Sequence, residues 1–379
     1  MRSRGSNLTV TPNAPKEIQR GSFGGKASMQ LNDILTAAIE CGASDVHLVP
    51  GHAPIARVHT VLERLDYPDL TSEWVTRTLE QMVAHDQLVS FQEIHDLDFS
   101  YVANHSQRYR VNAHRQKGGV ALAFRVIRSD VPELSTLNLP PVIDELTRLP
   151  RGLVLVTGAT GSGKSTTLAA MLQAINQRDA KHVITLEDPI EYVFESEECL
   201  FEQRERGVDM TGFASGLKHA LRQDPDIILV GEMRDLETTS LAISAAETGH
   251  LVFSTLHTNS AAQTVERIID MYPAGQQNQV RSMLANTLQA VVSQSLFPRR
   301  DEPGMVPATE ILICTPAVRN IIRESRTFEI PNVIETNRQL GMSSLDHAIG
   351  ELVFNGLIHR KDALAQAVNP DRLVQTLAA

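Results

Sequence analysis

Cysteine is scarce in this chain: three residues, Cys41, Cys199 and Cys314, are spread over 379 positions. An odd number of widely separated cysteines argues against a disulfide framework and a cysteine-ligated zinc site, and it is consistent with a reducing cytosol. No apolar run approaches the roughly 18 residues that a membrane span needs, and the N-terminus has no apolar signal core. The sequence therefore predicts a cytoplasmic protein without a transmembrane segment.

Aromatic residues and net positive charge are also lacking. Aromatic side chains make up 4% of the chain, and the formal net charge is −10. Proteins that bind single-stranded nucleic acid combine stacking aromatics with a basic groove, and a negative chain disfavours broad association with polyanions. These absences predict that nucleic acid is not a partner, although they do not exclude a local basic groove.

The length corresponds to two or three domains, at about 150 residues per domain. Residues 1–28 contain five basic residues and one acid among Gly, Ser, Pro and Asn, which predicts a disordered basic tail. A membrane- or partner-binding arm is the alternative interpretation of that tail. Alternating helix and strand signals predict a small α+β domain over residues 29–128. Four prolines then predict a stiff linker over residues 129–150, namely Pro132, Pro140, Pro141 and Pro150.

Strands and helices alternate from Gly152 onward, which predicts an α/β core over residues 151–314 with a mainly parallel sheet covered on both faces. Residues 315–379 are predicted to form a helical C-terminal region. The strands of the core are expected at 152–157, 182–187, 226–230 and 250–256. Its helices are expected at 164–177, 213–222, 235–247, 260–271 and 275–296.

One stretch matches the phosphate-binding loop G-x-x-x-x-G-K-[ST], and it stands between an apolar strand and a helix as that motif requires. Glycines allow backbone N–H groups to approach phosphate oxygens, and the helix start adds unpaired donors. Lys164 is expected to reach the β- and γ-phosphates, and Ser165 to hold Mg²⁺. The predicted nucleotide-binding residues are Gly158, Ala159, Thr160, Gly161, Ser162, Gly163, Lys164, Ser165 and Thr166.

Three further clusters are candidates for the chemistry of phosphoryl transfer, which needs acids to position water and metal. Glu187 ends a predicted strand and could orient water or Mg²⁺; a solvated acidic turn is the alternative. Glu232 follows the apolar strand 226–230 by one glycine and is the first choice for positioning water; a helix-start acid paired with Arg234 is the alternative. His257 could contact the γ-phosphate, or it could have a hydrogen-bonded structural role.

These motifs resemble those of the type II/IV secretion ATPase superfamily. LRQDPDIILVGEMRD (221–235) resembles its signature, LEDPIE (186–191) its aspartate box and GHLVFSTLHTN (249–259) its histidine box. Within the superfamily the chain is most similar to the PilT-like ATPases of type IV pilus retraction and twitching motility, because AVRNIIRE (317–324) resembles their C-terminal motif. The resemblance implies a RecA-like core preceded by a PAS-like α+β domain.

The resemblance also implies a homo-hexamer that hydrolyses ATP with Mg²⁺ between the small domain of one subunit and the core of another. Arg110 and Arg125 match arginines that relatives carry to the nucleotide. Because both lie on predicted strands among apolar neighbours, each is expected to need a charge partner, either a phosphate or an acid such as Asp96 or Asp98. A polar surface made of Arg319, Arg323 and Glu324 is expected to act in the output step; a packing helix is the alternative.

For such a motor, the resemblance implies a peripheral location at the inner face of the cytoplasmic membrane and an inner-membrane pilus platform protein as partner. Accessory retraction, pilus-assembly and secretion ATPases are alternatives within the superfamily. A nucleic-acid translocase and a non-enzymatic nucleotide-gated scaffold are more distant alternatives.

Overall fold

The computed structural model describes residues 29–58, 61–103, 107–117, 119–127 and 130–377. The basic tail predicted at residues 1–28 lies outside these residues, so the structure leaves that prediction untested. The described chain contains two separate sheets, one in the N-terminal third and one in the remainder.

The N-terminal sheet has six antiparallel strands in the order β3-β2-β1-β6-β5-β4. Thr71 caps the second helix, since its hydroxyl accepts a hydrogen bond from the Trp74 N–H. Apolar side chains on one face of the sheet form a core with the helices. The elements are α1 (Leu31–Glu40), β1 (Ala43–Leu48), β2 (Ile55–Val58), β3 (Val61–Arg64), α2 (Ser72–Met82), α3 (His85–Ile94), β4 (Asp96–Val102), β5 (Arg108–Gln116) and β6 (Gly119–Val126).

The second sheet has seven strands in the order β13-β12-β7-β11-β10-β8-β9, all parallel to their neighbours except β13. Strands β7, β10 and β11 are buried along their whole length, which is why they read as continuous apolar runs. The elements up to β11 are α4 (Val142–Leu146), β7 (Gly152–Thr157), α5 (Lys164–Asn176), β8 (His182–Glu187), β9 (Leu200–Glu205), α6 (Phe213–Ala220), β10 (Ile227–Val230), α7 (Leu236–Glu247) and β11 (Leu251–Leu256).

The predicted helix 275–296 is wrong in its second half. Helix α9 ends at Thr287, and the chain continues as a strand that pairs with both β7 and β13. Val291 and Val292 favour a strand, and the partner β7 supplies hydrogen bonds that no local pattern reveals. The elements from α8 to the C-terminus are α8 (Ala261–Asp270), α9 (Gln277–Thr287), β12 (Leu288–Pro298), β13 (Met305–Ile313), α10 (Pro316–Arg323), α11 (Ile330–Thr336), α12 (Leu345–Phe354), α13 (Arg360–Gln366) and α14 (Pro370–Thr376).

Candidate active site

The glycine-rich loop connects β7 to α5 at the carboxyl end of the parallel strands. Gly158 and Gly163 have φ values of 139° and 87°, a region that other residues rarely adopt. A Cβ on Gly158 would lie 2.3 Å from the carbonyl oxygen of Gln294, so this position has no room for a side chain. Helix α5 begins at Lys164, and its first N–H groups therefore point toward the loop.

Lys164 is buried at the start of α5 and is turned into the loop. Its Nζ donates hydrogen bonds to the carbonyl oxygens of Gly158 and Ala159, each at 2.9 Å. Burial lowers the pKa of the Lys164 ammonium, while the charges of Glu232 and Glu191 act in the opposite direction. The loop thus holds a lysine whose charge would be stabilised by any anion bound above these carbonyls.

Gln294 on β12 fixes the loop from the neighbouring strand, and sequence reasoning missed this residue. Its Nε2 donates to the Ser162 carbonyl at 2.8 Å, and its Oε1 accepts from the Thr167 hydroxyl at 2.8 Å. One strand residue earlier, the hydroxyls of Ser293 and Thr157 lie 2.8 Å apart. Because a helix was predicted here, the pattern gave no reason to place Gln294 beside the loop.

Glu187 ends β8 and is almost fully buried. Its Oε1 accepts from the Thr185 hydroxyl at 2.6 Å and from Gln203 Nε2 at 3.1 Å, and its Oε2 accepts from the Glu191 N–H at 3.3 Å. Burial raises the pKa of the Glu187 carboxyl to about 6, against the opposing effect of these donors. A buried and hydrogen-bonded Glu187 does not belong to a solvated turn.

Glu232 lies just beyond β10 and is held by two basic side chains. Arg234 Nε is 2.7 Å from its Oε2, and His257 Nε2 is 3.2 Å from its Oε1. The pair with Arg234 that was the alternative interpretation therefore exists, and it forms next to the loop; the positioning of water by Glu232 stays a prediction. A carboxylate has about four lone-pair sites, so these two contacts leave acceptor capacity for water.

These side chains line one cleft of about 330 Å³. It brings together the loop lysine, the two acids and the histidine of the core with Arg110 of the N-terminal sheet. The predicted site residues at its wall are Thr160, Gly161, Lys164, Ser165, Glu187, Glu232, His257 and Arg110.

The two candidate arginines are placed differently, and their apolar neighbours in sequence do not bury either of them. Arg110 is exposed and lines the cleft of its own chain. Arg125 is 70% exposed, and its Nε lies 3.0 Å from Asp45 Oδ1. The acid that pairs with Arg125 is therefore on β1, and not Asp96 or Asp98. Both side chains stand on the polar face of the sheet, where water reduces the cost of a charge.

Known proteins resemble this chain over most of its length. A family model described as type II/IV secretion system protein matches residues 25–306. The type IV pilus retraction ATPase PilT of Pseudomonas aeruginosa is 47% identical over 343 residues, which cover 90% of this chain and 99% of that protein. The chain belongs to this secretion ATPase family.

Two more members of the family are similar over most of their length. A twitching motility protein of Neisseria gonorrhoeae is 46% identical over 320 residues, covering 84% of this chain and 86% of that protein. A crystal structure of the pilus retraction motor PilT with bound ADP has a TM-score of 0.86 and 42% identity, covering 92% of this chain and 100% of that one. The resemblance to PilT-like ATPases is confirmed, and so is the expected fold class.

The motif that suggested a retraction ATPase forms α10. Arg319 is half-buried, and its guanidinium donates to the carbonyl oxygens of Ala285 and Asn286 at 2.6 and 2.8 Å, which satisfies the end of α9. Arg323 and Glu324 are exposed at the end of the helix. Arg319 thus fits the packing alternative, whereas the other two leave a polar surface that a partner could reach.

The oxygen ligands that Mg²⁺ requires can come from Ser165 and a nucleotide. Ser165 lies in the first turn of α5 and lines the cleft. Within the described residues, no group of three or more His, Cys, Asp or Glu side chains could hold a metal ion by itself. Mg²⁺ commonly binds through one or two protein groups together with phosphate oxygens, and this donor set fits that mode.

The length and hydropathy of the helices bear on the prediction that the protein has no transmembrane segment. Across the part of the chain that the structure describes, no helix is both long and apolar enough to cross a lipid bilayer.

Proposed function

We propose that this protein is a hexameric motor that hydrolyses ATP to drive type IV pilus retraction and twitching motility. The family to which the chain belongs makes it an ATP-hydrolysing enzyme. The observation that carries the proposal is the single cleft that joins Lys164, Glu187 and Glu232 of the core to Arg110 of the N-terminal sheet. PilT of Pseudomonas aeruginosa, at 47% identity over 90% of this chain, supports the retraction role.

The chemistry follows from the charges around the cleft. Lys164 and the amides at the start of α5 would bind the phosphates, and Ser165 would hold Mg²⁺, which neutralises charge on them. Glu232 would align the attacking water through the lone pairs that Arg234 and His257 leave available, with Glu187 assisting. Arg110 would stabilise charge on the transferring phosphoryl group, a contribution of about 10³ or more in rate for an arginine finger.

Movement would arise between the proposed domains. The small domain (29–128) would move relative to the core (151–314) about the proline-rich linker (129–150), while residues 315–379 contribute to the output. Arg125 would act on the nucleotide of a neighbouring subunit. ATP binding would close the cleft and product release would open it, so that six such clefts move a bound pilus platform protein at the inner face of the membrane.

Phosphate release by the purified protein tests the enzymatic part. We expect Lys164→Ala and Glu232→Gln to lower hydrolysis at least about 100-fold, because each removes a group that contacts the reacting phosphate or its water. Lys181→Ala and Glu237→Gln are matched controls, since both residues are exposed and lie outside the cleft. Full hydrolysis by Lys164→Ala would refute the assignment of the loop.

The arginines and the ring need separate measurements. We expect Arg110→Ala and Arg125→Ala to abolish turnover while the thermal unfolding temperature stays near that of the unmodified protein. Near-normal turnover in both variants would remove these residues from the mechanism. Sedimentation of the purified protein with and without ATP tests the hexamer; a monomer under every condition would contradict it.

The direction of movement requires a cellular assay. Deleting the gene and counting surface pili distinguishes the family alternatives, because excess pili indicate retraction and absent pili indicate assembly. Unchanged pilus number with reduced twitching would favour an accessory retraction ATPase.

A further inference from the structure

A hydrogen bond joins the N-terminal sheet to the core at a position next to the cleft. The hydroxyl of Ser100 on β4 donates to Oε1 of Glu205, the last residue of β9. Glu205 is 5% exposed, and a small cavity of about 90 Å³ beside this contact is lined by residues of both sheets. A buried carboxylate that accepts a hydrogen bond from another domain is sensitive to the position of that domain.

Glu205 and Glu187 are neighbours at the ends of two paired strands, and they hold the same loop. The two residues are directly opposite each other in the register of β8 and β9. Oε2 of Glu205 accepts from the Ile190 N–H at 3.3 Å, and Oε2 of Glu187 accepts from the Glu191 N–H at 3.3 Å. Two adjacent carboxylates therefore fix two consecutive amides of the loop that follows β8.

That loop continues into the wall of the nucleotide cleft. Gln203 on β9 donates to the Tyr192 carbonyl at 2.8 Å, and the Tyr192 hydroxyl lies 3.0 Å from Thr166 Oγ1 in the first turn of α5. Pro189, Glu191 and Tyr192 all line the cleft. The contacts of Glu205 are thus connected through one short loop to the phosphate-binding helix.

Ser100 is also a cross-strand neighbour of Arg110, the arginine that lines the cleft. In the register of β4 and β5, Ser100 stands directly opposite Arg110. Cross-strand neighbours of this kind have Cβ atoms about 5 Å apart, so fixing one fixes the backbone of the other. The Ser100–Glu205 hydrogen bond therefore determines where β5 presents Arg110.

We propose that Ser100 and Glu205 form a latch. Their hydrogen bond positions Arg110 over the cleft, and Glu205 also holds the loop after β8. Both are positioning residues, and the proposal rests on the proposed ATPase function. The described partners of the Glu205 side chain are neutral donors, so swinging the small domain away exchanges one hydrogen bond for hydration of the carboxylate. Such an exchange costs only the net free energy of one hydrogen bond to a charged group, so the latch can open and close in each cycle.

Steady-state ATP hydrolysis by three variants at Ser100 and one control variant tests the latch. Ser100→Ala removes the donor and is expected to lower kcat about tenfold, the scale of one hydrogen bond to a charged group. KM for ATP is expected to stay within twofold, because the phosphate-binding loop itself is unchanged. Ser100→Thr keeps the hydroxyl and should restore kcat. Ser100→Val has the shape of threonine without the donor and should not restore kcat. Ser282→Ala, at an exposed hydroxyl on α9, is the matched control.

The outcomes separate this proposal from the proposed function. If the unmodified protein hydrolyses ATP and Ser100→Ala retains its kcat, the latch is wrong and the ATPase assignment stands. Equal kcat values for Ser100→Thr and Ser100→Val would also overturn the latch, because packing alone would then account for the loss. If the unmodified protein does not hydrolyse ATP, the function itself is refuted.

Discussion

Gln294 provides the sharpest test of how the core shapes its phosphate-binding loop. Replacing it with Met keeps nearly the same length and removes both 2.8 Å hydrogen bonds, to the Ser162 carbonyl and from the Thr167 hydroxyl. Both groups are buried, and a buried polar group without a partner costs about 1–3 kcal/mol. We therefore expect Gln294→Met to lower the free energy of unfolding by about 3 kcal/mol.

The same change should weaken nucleotide binding. A loop that is no longer fixed must be ordered when the phosphates bind, at about 1–2 kcal/mol for each residue ordered. Ordering one or two residues corresponds to an increase in Kd of about tenfold or more. Calorimetric titration with ADP measures this directly, because ADP is not turned over. Gln294→Glu keeps an acceptor for Thr167 but loses the donor and buries a charge, so its stability should be no higher.

Gln289→Met is the matched control on the same strand. Gln289 is five residues earlier, near the start of β12, and its amide contacts Arg151 and Arg319 instead of the loop. This variant is expected to lose stability without changing the Kd for ADP. An unchanged Kd for ADP in Gln294→Met would refute the reasoning that Gln294 shapes the loop.

Three further predictions concern other parts of the molecule. Since burial raises the pKa of Glu187 from 4.5 to about 6, the unfolded chain ionises this group first. Stability should therefore fall by about 2 kcal/mol in total as the pH rises from about 3.5 to about 7, most steeply between the two pKa values, and denaturation of Glu187→Gln should lack that loss. Arg319→Ala should lower the free energy of unfolding by about 2 kcal/mol, because the carbonyl oxygens at the end of α9 lose their donors. Urea denaturation measures this loss, and Arg326→Ala is the control because Arg326 is exposed near the end of α10. Arg323→Glu should preserve hydrolysis and abolish retraction; slowed hydrolysis with normal retraction would contradict the output surface.

The parts of the site that depend on local sequence could be predicted. The β7–loop–α5 unit follows from glycines, an apolar strand and a helix start that are adjacent along the chain. Strands β8, β10 and β11 agree with the predicted ranges to within one residue, because their apolar runs are bounded by turn residues. Glu187 and Glu232 were candidates because Glu187 ends such a strand and Glu232 follows one, at the edge where parallel sheets bind ligands.

The parts that depend on distant partners could not be predicted. An apolar stretch such as 288–298 fits a helix or a buried strand, and pairing with β7 decides between them. For that reason Gln294, which stands beside the loop only because β12 is a strand, was missed. The exposure of Arg110 and Arg125 was misjudged for a similar cause: their apolar neighbours in sequence point to the opposite face of the sheet.

The register of the N-terminal sheet explains why the two arginines differ in their charge partners. Asp45, Arg125, Arg110 and Ser100 form a row across β1, β6, β5 and β4. Two arginines directly opposite each other repel unless an anion is near. Asp45 neutralises Arg125, whereas Arg110 has no acidic partner within salt-bridge distance among the described residues. A phosphate in the cleft that Arg110 lines would complete the pairing, so the sheet itself favours binding of the anion.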